Sequence, residues 1–331
     1  MQQRQSNMEL CRIVAIVMVL VLHSDFAIFG WPETMQELHV PLLIAECFCI
    51  VAVPVFVMIS GYFSIHLKLK SVVNLAYICL FCALLKILYN LSTNQPFDIN
   101  NLFFISRSNW FIPVYLGLML FSPALNALCE KLEKKQLSIT LATILLFTFY
   151  MGYFPARPQC GIGMNNGGSV YEFMLYYLIG RYIRLYGVPQ FIRKNSVVLY
   201  IVGSIILIAA YYFVVKYGLG HFANKILMTS SPLIMFNAAC VLLTFERINI
   251  QSTVINHISK SVLAVLLLHS CKAGMGILRP LYQNIFENYS CGGDIMSLDN
   301  NYCRDICNLC DYRSASFSFI QLFTKNLFSL G

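Results

Sequence analysis

The sequence predicts an all-α, polytopic transmembrane helical bundle, and three observations predict it. Of 331 residues, 58% are hydrophobic and only 11% charged, against roughly 25% charged in soluble domains, and the mean hydropathy is +0.67. Apolar runs of about twenty residues recur along most of the chain, each long enough to cross a hydrocarbon core of roughly 30 Å as a helix. The loops between those runs carry their basic residues on alternate sides, the pattern of a multi-pass membrane protein. One membrane domain over residues 1–290 absorbs every apolar run and leaves no room for a soluble domain, and residues 291–331 form a polar, cysteine-containing tail.

The runs give nine spans: Met8 to Phe29, Val40 to Ile65, Ser71 to Leu91, Trp110 to Cys129, Leu137 to Phe154, Val170 to Tyr186, Ser196 to Val215, Ile226 to Phe245, and Ser261 to Leu281. The first follows the short polar stretch MQQRQSN and lacks the small-residue cleavage site of a signal peptide, so it stays in the mature protein. Counting loop charges, Arg4, Arg12, Lys68, Lys70, Lys131, Lys134, Lys135, Arg181, Arg184, Arg193, Lys194, Arg247 and Lys260 fall on one side, and Arg107, Arg157, Lys216 and Lys225 on the other. That imbalance puts the amino terminus and the exits of the even-numbered helices in the cytoplasm. It also accounts for the net charge of +8 without a nucleic-acid partner. The opposite side includes Pro155 to Ser169 (PARPQCGIGMNNGGS), an irregular loop by its Pro, Gly and Asn content and a candidate roof for a site. Of the thirteen cysteines, Cys11, Cys47, Cys49, Cys79, Cys82 and Cys240 lie in apolar runs, where Cys acts as a small hydrophobe, and no disulfide framework is implied.

Ionisable groups within spans cost roughly 2.5–3.5 kcal/mol at a helix centre, so each is a functional candidate. They are Arg12, His23, Asp25, Glu46, Lys86, Glu172, His269 and Lys272. Arg12 and His23 are eleven residues apart, which brings them within roughly 20° of one helix face and about 16 Å apart along the axis. Arg12 then sits at the inner interface, where a guanidinium grips phosphate, and His23 lies deeper, as a general base for a phosphorylated donor reaching in from the cytosol. The competing reading is that Arg12 reaches lipid phosphates and His23 is a hydrogen-bonded packing residue. Glu46 and Lys86 read as a buried ion pair that fixes packing. Glu172 reads as close to the outer interface, and His269 as either an acceptor-site residue at an outer cavity or a packing residue.

The opening NMELCRIVAIVMVLVLHS resembles the first helix of acyltransferase family 3, integral membrane enzymes that O-acylate polysaccharides and other acceptors. Four further stretches are similar, in order: VPVFVMISGYF, WFIPVYLGLMLFSPALN, YLIGRYIRLYG and LAVLLLHS, so that the resemblance covers about the first 290 residues. It implies a ten-helix bundle in a bacterial cytoplasmic membrane, acyl-CoA (in the O-acetyltransferase type, acetyl-CoA) as a co-substrate rather than a bound cofactor, and an acceptor that is often an envelope glycan. It makes His23 the essential histidine and Arg12 its partner, and allows Arg181 and Arg184, which topology alone also explains, to contact donor phosphates. It marks Ser60, Gly61 and Tyr62 as a recurring element, with Ser60 and Tyr62 as substrate-side candidates. His23 then either deprotonates an acceptor hydroxyl attacking the thioester or itself carries the acyl group.

No GxxxxGK[ST], HExxH or GxSxG pattern is present, and CNLC at Cys307 to Cys310 with Cys303 is only a partial metal pattern, so no metal is expected. From another class, a transporter or an envelope-polysaccharide export or polymerase component also fits many apolar helices with a few buried charges. Transporters often show paired helix breaks in two related halves, and Pro54, Pro113, Pro123 and Pro232 show no such repeat.

After nine spans the chain ends outside, whereas the resemblance requires a tenth span. The stretch LDNNYCRDICNLCDY is rich in Asp, Asn, Tyr and Cys, whose codons end in a pyrimidine. Read one base later, with one synonymous choice of codons, Asp305 to Ser316 becomes IFVICVIIDQLR, and extension back to Ser297 gives a run of about sixteen apolar residues, close to a spanning length. The tail thus reads as a frame-shifted tenth helix, in which Cys303, Cys307 and Cys310 have no function; chance enrichment is the alternative. A gene sequence whose shifted frame encodes no apolar helix there would end the idea. For topology, cysteine labelling in intact cells should modify residues placed in 155–169 and spare those placed at Lys131, Lys134 and Lys135; the reverse pattern would invert the protein in the membrane.

Overall fold

The computed structural model describes residues 5–92, 109–154, 166–270, 275, 278–280 and 282–283, and every regular element among them is helical. Arg4, Arg107, Arg157, Lys272 and the whole tail from residue 291, with its cysteines, lie outside the described residues. The principal helices are α1 (Ser6–Ser24), α2 (Val40–Cys49), α3 (Ala52–Phe63), α4 (Leu69–Ser92), α5 (Phe111–Lys131), α6 (Lys134–Tyr153), α7 (Val170–Tyr186), α8 (Ser196–Lys216), α9 (Pro232–Glu246), α10 (Thr253–Ile258) and α11 (Val262–His269).

Among the described residues, six helices are long and apolar enough to cross a membrane: α1, α2 with α3 taken as one bent span of 24 residues, α4, α5, α6 and α8. Two other expected spans are shorter helices, α7 with 17 residues and α9 with 15, and of the ninth, Ser261 to Leu281, the described residues hold α11. The chain is a multi-pass integral membrane protein. Where span boundaries differ from expectation, the cause is local. The second span bends at Ile50–Val51 because Pro54 cannot donate to the carbonyl of Ile50 and its ring crowds that carbonyl. The carbonyl of Phe48, next to this break, accepts from the hydroxyl of Tyr200 on α8 instead. The eighth span begins at Pro232, whose missing N–H costs nothing at a first helical position. The first span ends at Ser24, with Asp25 departing from helical geometry.

Helix α7 is the centre of the bundle and packs most extensively on α3, with further contacts to α5 and α6. The α3–α7 crossing is a backbone contact. A Cβ built on Gly61 would collide with the carbonyl oxygen of Tyr177, and one on Gly180 would collide with the carbonyl oxygen of Met58. In a bilayer, where lipid tails are as apolar as leucine, such close approach of small residues supplies the dispersion contact that drives association. Around the crossing, Met58, Ile59, Phe173, Tyr176 and Tyr177 are fully buried. Helix α1 closes the bundle by contacting α2, α3, α9, α10 and α11. Helix α4 lies at the edge on α11 and α5, with Leu69, Val73, Tyr77, Leu80, Leu84, Leu88 and Leu91 exposed along it.

One buried acid differs from the sequence expectation. Glu46 forms no ion pair with Lys86, because α4 packs away from α2; the ion pairs among the described residues are Arg12–Glu9 and Arg193–Glu246. Glu172, in the first turn of α7, is fully buried, and it closes a capping box there. Its carboxylate accepts from the backbone N–H of Gly167 (2.7 Å) and from the N–H and hydroxyl of Ser169 (3.1 and 2.8 Å). Thr229 ties down the same turn by donating to the carbonyl of Asn166 at 2.7 Å.

Because the group a Cβ would strike at Gly180 is backbone, Gly180→Val should destabilise the detergent-solubilised protein by at least the roughly 1–3 kcal/mol typical of overpacking. Leu120→Ala, at a position 68% exposed on α5, should leave the melting temperature unchanged. Equal melting temperatures for the two variants would mean that α3 and α7 are not in backbone contact.

Candidate active site

Residues 60–62 make three separate contacts. Gly61 admits α7, as above. Ser60 Oγ lies 3.2 Å from the hydroxyl of Tyr115 on α5 and donates to the carbonyl of Phe56. The Tyr62 hydroxyl donates to Glu246 Oε1 at 3.2 Å and accepts from Arg184 Nη1 at 3.1 Å. Helix α3 then stops at Ser64, a non-glycine residue with φ of 64°, and the departing chain is clipped by two side chains. Tyr177 accepts from the Ile65 N–H (3.0 Å) and donates to Asn126 Oδ1 (2.6 Å), while Asn126 Nδ2 donates to the Ile65 carbonyl (2.8 Å).

This end of the bundle gathers cations around an aromatic pair. Phe63 and Tyr62 meet edge to face with ring centroids 5.4 Å apart. The Arg12 guanidinium stands 5.6 Å from the centre of the Phe63 ring and that of Arg184 5.0 Å from the Tyr62 ring, both within cation–π range. Arg12 pairs with Glu9 at 2.7 Å, one turn back on α1, whereas Arg184 reaches Glu246 only through the Tyr62 hydroxyl, and Glu246 itself pairs with Arg193 at 3.3 Å. Asn7 donates to the carbonyl of Phe245 at 3.0 Å, and Arg247 to those of Arg193 and Lys194. The loops expected to share a side therefore do share an end. Arg181, the third basic candidate, is apart from this cluster: no hydrogen bond or ion pair links it to Arg12, Tyr62 or Arg184, and it lies near Cys129 and Tyr177 with its Nε buried and unpartnered.

His23 lies eleven residues further along the same uninterrupted α1, about 16 Å deeper by helix geometry. There it meets His269, the last residue of α11. Nε2 of His269 is 2.8 Å from Nδ1 of His23, the rings are 4.8 Å apart between centroids, and Nδ1 of His269 is 2.7 Å from the carbonyl oxygen of Val265 one turn back. His269 is 0% exposed and packs against the ring of His23. His23 keeps partial exposure. Asp25 is buried near by in sequence, with no hydrogen bond of good geometry to either carboxylate oxygen; the Glu46 carboxylate and the Phe26 amide are the polar groups that act on it. Among the described residues no group of three His, Cys, Asp or Glu side chains is arranged to hold a metal.

Reasoning from the sequence missed Phe63, Glu246, Tyr115 and Glu9. Glu9 had a readable signal, the i, i+3 spacing to Arg12. Glu246 and Tyr115 had none, because they reach the site only through the packing of α9 and α5.

The site thus sets a guanidinium cluster at one end of a helix and an imidazole pair deep along it, in an otherwise apolar bundle. No curated protein and no solved structure matches the chain. The model of acyltransferase family 3, described as an acyltransferase domain, matches residues 5–294, which include Arg12, His23, Ser60, Tyr62, Arg184 and His269. The chain belongs to that family and is a membrane acyltransferase that transfers groups other than aminoacyl groups.

Proposed function

We propose that the protein transfers an acyl group, in the simplest case acetyl, from acyl-CoA to a hydroxyl of a sugar or envelope glycan, with His23 as general base. The amino terminus and the Arg12–Arg184 cluster face the cytoplasm of a bacterial cell on this reading, which the excess of basic residues at that end supports. The observation that carries it is the continuity of α1 between Arg12 and His23. Phosphates of a CoA donor held at the guanidinium end leave an extended phosphopantetheine arm to run along α1 toward His23, over the roughly 16 Å that the helix sets. Phe63, partly exposed between the two guanidiniums, offers a face for the donor's adenine.

The chemistry follows from the imidazole. His23 takes the proton of the acceptor hydroxyl as that oxygen attacks the thioester carbonyl carbon. The tetrahedral intermediate collapses by breaking the C–S bond, and the departing thiolate takes the proton back from the imidazolium. The products are the ester, CoA thiol and neutral His23. Arg12 contributes a planar, permanently charged fork suited to bidentate contact with phosphate, which an ammonium does not reproduce.

Membranes holding the protein and supplied with labelled acetyl-CoA should place label in glycan; uptake of label without incorporation would favour a transporter. His23→Ala should insert normally and lose about 10²- to 10⁴-fold in rate, the usual contribution of a general base. Arg12→Ala should raise the KM for donor more than it lowers kcat, and Arg12→Lys should recover only part of the loss. Full activity in His23→Ala would move the chemistry to another residue.

A further inference from the structure

We propose that His269 is a positioning residue that fixes the tautomer of His23 and so points the basic nitrogen of His23 at the acceptor. The inference rests on the assignment of His23 as base and goes beyond it by saying which nitrogen acts and what selects it.

One group in the chain of contacts has a fixed role. A backbone carbonyl oxygen is an acceptor and nothing else. At 2.7 Å from the carbonyl of Val265, Nδ1 of His269 must carry the proton, since two lone pairs at that distance repel. A neutral imidazole has one N–H and one lone pair, so Nε2 of His269 is an acceptor. Nδ1 of His23 lies 2.8 Å from that acceptor and must therefore be the donor. The remaining nitrogen of His23, Nε2, then carries the lone pair. The carbonyl of Val265, through two rings, has set His23 in the Nδ1–H form with Nε2 free to accept a proton.

The same contact serves the next step. When Nε2 of His23 takes the acceptor's proton, the ring becomes an imidazolium whose Nδ1–H still donates to the lone pair on His269. His269 ends the step as it began, and no proton crosses between the rings. This is the logic by which a base is oriented by a third group behind it, with a neutral imidazole in place of the usual carboxylate. A carboxylate is at hand in sequence but not in contact: Asp25, two residues from His23, follows the end of α1 out of helical geometry, and neither of its oxygens is hydrogen-bonded to an imidazole.

Placement explains why the orienting group can be uncharged. His269 is 0% exposed and sits at the end of an eight-residue apolar helix, where an ionised partner would be costly. Its ring is held from behind by its own helix, through the carbonyl one turn back, so its orientation follows from that of α11.

The test compares His269→Leu, which removes the acceptor, with His269→Gln, whose Oε1 can still accept from Nδ1 of His23, in the full chain in detergent or nanodiscs. His269→Leu should lose about 10- to 100-fold in kcat, the usual cost of removing an outer partner, with KM for acetyl-CoA and for acceptor unchanged, and His269→Gln should recover most of it. Histidine ¹⁵N NMR should show His23 protonated at Nδ1 in the wild type and in His269→Gln, and shifted toward the Nε2–H form in His269→Leu. A wild-type His23 protonated at Nε2 would overturn the proposal even if His269→Leu fails to fold. So would wild-type kcat in His269→Leu beside an inactive His23→Ala, or a change confined to the acceptor KM, which would make His269 a substrate contact. Activity surviving in His23→Ala removes the base assignment itself, and the positioning role with it.

Discussion

The arrangement depends on two glycines. Gly61 and Gly180 each open a gap through which the backbone of the other helix enters, so α3 and α7 cross at a distance no other residue permits. What lies beside those glycines is consequently fixed to within a rotamer. Ser60 and Tyr62 flank Gly61, and Arg181 and Arg184 follow Gly180 within about one helical turn, so the crossing presents the Tyr62 hydroxyl to Arg184 without any loop intervening. In an aqueous core the apolar side chains would drive such an assembly; in a bilayer they cannot, and the close backbone approach takes over that role.

The polar contacts of the candidate site and of the start of α7 fall into three groups. At one end Glu9, Arg12, Tyr62, Arg184, Glu246 and Arg193 form linked pairs; at the other, Asn166, Gly167, Ser169, Glu172 and Thr229 fasten the start of α7. Between them, His23 and His269 satisfy each other and a backbone carbonyl. Each pairing offsets a cost, since a polar group left unpaired in hydrocarbon costs several kcal/mol.

Much of the fold is legible in the sequence because its signals are local. The span Val170 to Tyr186 is bounded by a Ser169–Glu172 capping box and by Gly187 at φ of 63°, and its limits match the observed helix. The alternation of basic loops puts Lys131, Arg184, Arg193 and Arg247 together, and the contacts between Tyr186 and Leu132 and between Arg247 and Arg193 do so in the structure. What fails to be legible is lateral order. Glu46 and Lys86 lie on consecutive spans, but consecutive spans need not face one another, and α4 turns to α11 and α5 instead. The same limit hides the histidine pair: both residues stand out as ionisable groups in apolar runs, and nothing across a sequence separation of 246 says that the first and last described spans are neighbours.

That separation bears on how the protein is made. Ribosomes add about 5–20 residues per second, so α1 waits on the order of 12–50 s in the membrane before its histidine partner emerges, and its contacts to α9 and α10 come scarcely sooner. During that interval His23 and Asn7 lack the groups that satisfy them in the finished bundle, and the first helix has to be held by its own hydrophobicity and by the early hairpin with α2 and α3. Closure of the ring by α9 to α11 is the last assembly event among the described helices, and the two halves of the imidazole pair come together only in that event. A nascent chain is therefore without its paired site until α11 has been made.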